Sequence, residues 1–336
     1  MKLGRIAVPT VDGEQIRVVA VEPEAGRVVD LARAYALTLE RTGASASRAR
    51  ELALTLFPGS LAAGIASGDT FLESAHAALA AADDASTPIE QVEWRAAIDP
   101  PMIRDGLTFA THIENYFGTV NAIPPRAIYE RPGYFKGSTA TVYGPEQTIP
   151  FPDISQKLDY ELEIGYVIGR SGRNLTPDEA MDHVFGVTIF SDWSLRDVQS
   201  LESSVGMGPQ HSKDFAFSFG PWITTLDEIE SIEGLRGQVR VNGEVRSNTK
   251  IENFVYTPEE LVAFVSVFDG LQAGDIIGSG TMGFGAGVEI GRFLELGDVV
   301  ELELEGVGVL RNTIATEKET PPWWPAARTY PFEGEQ

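Results

Sequence analysis

Ile189-Phe190-Ser191-Asp192-Trp193-Ser194-Leu195-Arg196-Asp197-Val198-Gln199 ends an apolar run on a carboxylate and passes at once into a polar segment. Strand ends deliver functional side chains into clefts built by loops, so Asp192 is a candidate site residue; the plainer alternative is an Asp that caps the next helix. Upstream, Asp159-Tyr160-Glu161-Leu162-Glu163-Ile164-Gly165-Tyr166-Val167-Ile168 alternates with period 2. That spacing puts Glu161 and Glu163 on one face, about 7 Å apart at a rise of about 3.3 Å per residue. Two such carboxylates can converge on a cation. They can equally form a solvated strand face, because Glu301-Leu302-Glu303-Leu304-Glu305 repeats the pattern.

Working outward, β-branched runs broken by Gly and Pro turns recur at 161–168, 184–190, 238–245, 275–278 and 299–305, the pattern of a β-rich domain. Residues 3–30 hold short runs separated by Asp12-Gly13 and Glu22-Pro23-Glu24-Ala25-Gly26, which predicts small hairpins. From Asp30 to Ala85 the chain turns to Ala, Leu, Arg and Glu, interrupted at Phe57-Pro58-Gly59, which predicts two or three helices. Asp99-Pro100-Pro101 closes a connection. The expected organisation is a β-hairpin and helical domain over 1–98 and a larger domain over 99–336, in an α+β, β-rich fold; 336 residues suit two domains at roughly 150 each.

Composition excludes several functions. With 26 Lys plus Arg against 49 Asp plus Glu, the net charge of -23 opposes nucleic-acid and anionic-membrane partners, which require a basic footprint. No cysteine is present, so thiolate catalysis and zinc ribbons are out, and a metal must be held by oxygen or by one of four histidines. The first 30 residues show no basic start followed by an apolar core, so a cytoplasmic protein is expected. Gly278-Ser279-Gly280-Thr281-Met282-Gly283 matches G-x-G-x-x-G, but Phe284-Gly285-Ala286-Gly287 follows where a dinucleotide-binding fold needs a helix. A glycine-rich loop approaching a ligand is the reading that survives.

The ordered set Asp159-Tyr160-Glu161-x-Glu163, then Asp192-Trp193-Ser194-x-Arg196-Asp197-x-Gln199, then Gly208-Pro209 with Lys213, resembles the fumarylacetoacetate hydrolase family over most of residues 103–312. The resemblance implies a mixed β-sandwich roll, commonly a homodimer, with Mg²⁺ or Ca²⁺, or Mn²⁺ as a substitute, held by Glu161, Glu163, Asp192 and Asp105. It implies His112 as general base oriented by Glu295, Lys213 and Gln199 as oxyanion donors, and Tyr134, Lys136 and Thr281 as substrate contacts. His76, His183 and His211 receive no role. Asn121 and Ser203 stand where the fumarylacetoacetases carry a substrate-holding arginine and a tyrosine, which argues against fumarylacetoacetate itself as substrate.

The implied reaction is metal-dependent hydrolysis of a carbon–carbon bond in an acylpyruvate or β-diketo acid, within breakdown of aromatic compounds. In it His112 takes a proton from water, and Lys213 and Gln199 support the oxyanion. A decarboxylase or an enol–keto isomerase of a 2-oxo acid would use the same site. So would a non-catalytic protein that binds an oxo acid.

Overall fold

The computed structural model describes residues 1–11 and 13–332. Strands Lys2–Thr10 and Gly13–Glu22 form a hairpin in register from Leu3↔Ala20 to Thr10↔Gly13; Asp12 of the expected Asp12-Gly13 turn lies outside the described residues. Lys2 and Leu3 then pair with Thr224 and Ile223 of the strand Phe217–Thr225, so the hairpin extends the sheet of the C-terminal part. That twelve-stranded sheet continues through Val184–Asp192, Leu162–Ile168, Ile276–Gly278 and Ile103–Gly106 to an edge at Tyr134–Gly137.

A second sheet of five strands packs on it, in the order Glu244–Lys250, Arg236–Val241, Val299–Leu304, Gly308–Glu319 and Thr148–Pro152. Leu162, Ile164, Tyr166 and Ile189 of the large sheet meet Val239, Leu302, Leu310 and Ile314 of the smaller one in a buried cluster. In Val299–Leu304 the alternation places Val300, Leu302 and Leu304 inside, so Glu301 and Glu303 face outward, where both accept from Arg240. The Glu-x-Glu pattern in that strand is therefore a solvated face.

The N-terminal helices are shorter and more numerous than their composition implies: Leu31–Arg41, Ala46–Leu56, Leu61–Ile65, Asp69–Ala78 and the single turn Ala82–Ala85. Asp30, Ser45 and Ser60 cap the first three by accepting from the backbone N–H of Arg33, Arg48 and Ala63. The breaks that composition hides fall at Gly43 and Gly68, both at positive φ. These helices bury Leu31, Phe57, Leu61 and Phe71 in one cluster with Val167, Phe190, Phe219 and Ile276 of the large sheet. The N-terminal helices end at Ala85, strands lie on both sides of residue 98, and sheet and core run across it. No helix among the described residues is long and apolar enough to cross a membrane.

Candidate metal centre and active site

Neighbouring strands bring three acids to one end of the large sheet. Asp105 lies in Ile103–Gly106, which pairs in parallel with Ile276–Gly278 through Gly278↔Asp105; Gly278 in turn faces Gly165 of Leu162–Ile168. Glu163 lies in that last strand, and Asp192 ends the antiparallel Val184–Asp192 beside it. Asp105, Glu163 and Asp192 are all buried and offer one oxygen each within 4.8 Å of one another. Gly278 leaves them the room, since a Cβ there would stand 2.4 Å from Asp105 Oδ1 and 2.7 Å from Glu163 Oε2.

Burial and mutual proximity set the charge state of these acids. Burial pushes the Asp105 and Asp192 carboxyls well above the usual range, and the adjacent acids add to it. Burial likewise raises Glu163 to about 8, helped by Glu161 and Asp192 against its hydrogen bond with Asp105. Asp105 Oδ1 and Asp192 Oδ1 have no hydrogen-bond partner among the described residues. Buried oxygens left this way are costly, and an all-carboxylate set matches a hard divalent cation such as Mg²⁺, Ca²⁺ or Mn²⁺.

Glu161, expected as a fourth ligand, contacts two cationic side chains in this structure. Lys213 Nζ binds its Oε2 and Arg196 Nη2 its Oε1 at 2.8 Å, with His112 Nε2 3.6 Å away. Burial alone would raise the Glu161 carboxyl, yet Arg196 and Lys213 hold it well below its usual range. Lys213 also binds Asp192 and donates to Ser194 Oγ at 2.7 Å, so its ammonium bridges Glu161 to the acidic set. Arg196 is fixed on its other side by Asp159 at 2.7 Å, and Asp159 further accepts from the backbone N–H groups of Gly287 and Val288.

His112 sits in the helix Ala110–Thr119, where spacings of three and four residues put Asn115 and Tyr116 on its face. Its Nδ1 lies 3.1 Å from Glu289 Oε2, whose side chain is fully buried. Glu289 is fixed by donors from Asn115 Nδ2 at 2.9 Å and from the backbone of Phe284 and Ala286. The carboxylate beside the imidazole is therefore Glu289 and not Glu295. Glu295 is exposed, in a turn where its own N–H donates to Asp298.

Two other expected contacts move away from the site. In Tyr134–Gly137 the alternation turns Phe135 to the cavity and its neighbours elsewhere: Tyr134 packs edge-on against Phe264, and Lys136 pairs with Asp269 at 2.8 Å. Thr281 does reach the cavity, where it donates to Glu163 Oε1 at 3.2 Å while Gly280 N–H donates to Oε2 at 2.9 Å. The glycine-rich loop thus cradles a carboxylate. Gln199 lines the cavity as well, and its Oε1 accepts from Arg196 at 3.1 Å. Arg196 and Asp159 stand inside the recognised motifs, so their roles had a sequence signal; Glu289, in the single turn Gly287–Ile290, had none.

The acids, His112, Gln199 and Lys213 share a cavity of about 230 Å³. A larger one of about 520 Å³, between Asp69 and Arg170, holds no comparable cluster.

Two packed sheets bring buried acids and a histidine with a carboxylate beside it to one end, and comparison names this class of fold. Residues 101–315 match the family described as fumarylacetoacetate (FAA) hydrolase C-terminal, and the chain belongs to that family. It is 33% identical over 276 residues to the oxaloacetate tautomerase YisK of Bacillus subtilis (strain 168), covering 78% of this chain and 88% of the relative. Among solved structures it resembles the fumarylacetoacetate hydrolase of psychrophilic Exiguobacterium antarcticum, at TM-score 0.70 and 26% identity over 94% of this chain and 100% of the other. A maleylpyruvate hydrolase of Sphingobium sp. SYK-6, solved with manganese(II) and pyruvate, shares the fold at TM-score 0.68 and 21% identity, over 94% and 99% of the two chains.

Proposed function

We propose that the chain is a divalent-metal-dependent enzyme acting on a 2-oxo acid through its enolate, and that its reaction is enol–keto tautomerisation. The observation that carries this reading is His112, with Glu289 3.1 Å from its Nδ1, lining one small cavity with a buried three-carboxylate set. Asp105, Glu163 and Asp192 would hold a Mg²⁺, Mn²⁺ or Ca²⁺ ion, which would supply Lewis-acid stabilisation of negative charge on the substrate's oxygens. His112 Nε2 moves the proton at C3 of the substrate. Glu289 at Nδ1 fixes the ring and stabilises the imidazolium that forms. Gln199, with its oxygen on Arg196, offers its amide N–H to the cavity. The name of the 33% identical relative supports a tautomerase. A homodimer and a cytoplasmic location belong to the same reading.

Hydrolysis of a carbon–carbon bond in an acylpyruvate or β-diketo acid is the second reading. It is favoured by the likeness to the Exiguobacterium hydrolase, and by a Glu289-held imidazole that can equally take a proton from water. The two are separated by following enol absorbance, products and deuterium uptake for 2-oxo acids and acylpyruvates with Mg²⁺ or Mn²⁺. Enol loss with deuterium entering C3 and no new acid supports tautomerisation, and release of two acids in equal amounts supports hydrolysis. Absence of both with either ion overturns both readings.

A further inference from the structure

The cavity has two ends of different chemistry. Its floor holds Asp105, Glu161, Glu163 and Asp192 together with Arg196 and Lys213, the two Lys or Arg side chains among the described residues that line it. Both cations are engaged at that floor. Arg196 is clamped between Asp159 at 2.7 Å and Glu161 at 2.8 Å, and Lys213 between Glu161, Asp192 and Ser194. Both are nearly buried, with residue exposures of 7% and 3%.

The rest of the lining includes Ile113, Tyr116, Phe117, Ile128, Phe135 and Pro209, with the neutral Gln199 on Arg196 and the exposed Ser203. Lys136, next to Phe135 in sequence, pairs with Asp269 at 2.8 Å, and no further Lys or Arg among the described residues lines this wall. A second carboxylate on the far end of a substrate would lose its water against this wall and gain no counter-charge, in a chain whose net charge is already -23. A methyl-ended or ring-ended tail would instead bury apolar surface there.

We infer that the substrate is a monocarboxylic 2-oxo acid whose far end is uncharged and apolar, and that diacids are rejected. The inference rests on the proposed reading only in placing the oxo-acid head at the acidic floor. It separates this chain from the tautomerase it resembles, whose named substrate, oxaloacetate, carries two carboxylates.

The test uses the full chain loaded with Mn²⁺ and two near-isosteric pairs: 4-methyl-2-oxopentanoate against oxaloacetate, and 5-methyl-2-oxohexanoate against 2-oxoglutarate. Binding is read by calorimetry and turnover by absorbance. The expected result is at least about tenfold tighter binding of the methyl-ended member of each pair, the scale of discrimination that an unpaired buried polar group sets. In Ser203→Arg, which adds a guanidinium to the lining, the preference should shift toward the diacid. Equal or tighter binding of the diacids by the parent chain overturns the inference and leaves the proposed reaction standing. Preferential binding of the methyl-ended acids with no tautomerisation or cleavage overturns the reaction and leaves the specificity. No binding of any of the four with Mn²⁺ overturns both.

Discussion

Glu289 bears most directly on what His112 can do, because its buried carboxylate lies 3.1 Å from Nδ1 and can orient the ring. Glu289→Gln is therefore expected to lower kcat by about 10- to 100-fold, the usual cost of losing an orienting partner, whereas Glu295→Gln should stay within about twofold of the parent. Steady-state kinetics on both variants checks this; the reverse order would restore Glu295. The buried acids carry a second expectation at this scale. With chelator present, Glu163 favours its protonated form in the fold, so its contribution is full below the ordinary Glu value of 4.5 and is lost as pH rises toward about 8, and the raised Asp105 and Asp192 act in the same sense. Glu161 works in the opposite sense and weakens the fold only on the acid side. Urea midpoints in chelator should fall between pH 5 and pH 8, and Mn²⁺ should restore the value at pH 8; a chelated protein that gains stability over that range contradicts the assignment. Glu163 and Asp192 were legible as candidates because strand alternation and a motif with ordered spacing expose them, and Asp105 only through the resemblance. Glu289 was not, since its approach to His112 depends on how one isolated turn docks against a distant helix.

At the scale of elements, parity in a short strand separates a contact from a neighbour of a contact. Tyr134 and Lys136 share one face of Tyr134–Gly137 and Phe135 the other, so placing the strand by resemblance while missing its parity selects the wrong two residues. Glu301 and Glu303 show that Glu-x-Glu carries no metal signal by itself, since what distinguishes Glu163 is burial on both faces of its sheet. The glycine-rich loop was legible as an approach to a ligand but not as a carboxylate cradle. Gly278 there has a steric role that Ala cannot fill. Gly278→Ala should drive Asp105 and Glu163 apart, weaken Mn²⁺ binding by at least about tenfold and destabilise the fold by about 1–3 kcal/mol, as overpacking does. Calorimetric titration of Mn²⁺ and thermal melts measure the two effects. Unchanged affinity would mean that Glu163 and Asp105 do not hold the ion together.

For the whole molecule, the change of composition near residue 98 was readable, but the continuity of the sheet across it was not, because strand pairing between residues 2 and 224 leaves no local trace. Leu3 is fully buried in the cluster that joins Phe71 to Phe190 and Phe219, so Leu3→Ala should cost about 2–5 kcal/mol, and a chain beginning at residue 99 should aggregate through its uncovered strand edge. A soluble, cooperatively melting 99–336 fragment would show the shared core to be dispensable. The central claim is that one buried acidic set and one Glu289-held imidazole form and quench a 2-oxo acid enolate. Its sharpest measurement is deuterium incorporation at C3 of 4-methyl-2-oxopentanoate by the parent chain with Mn²⁺, with chelator, and by His112→Ala with Mn²⁺. Exchange that needs the ion and falls by about 10²- to 10⁴-fold in the variant is the predicted result; exchange that persists in chelator, or unchanged in His112→Ala, would contradict it.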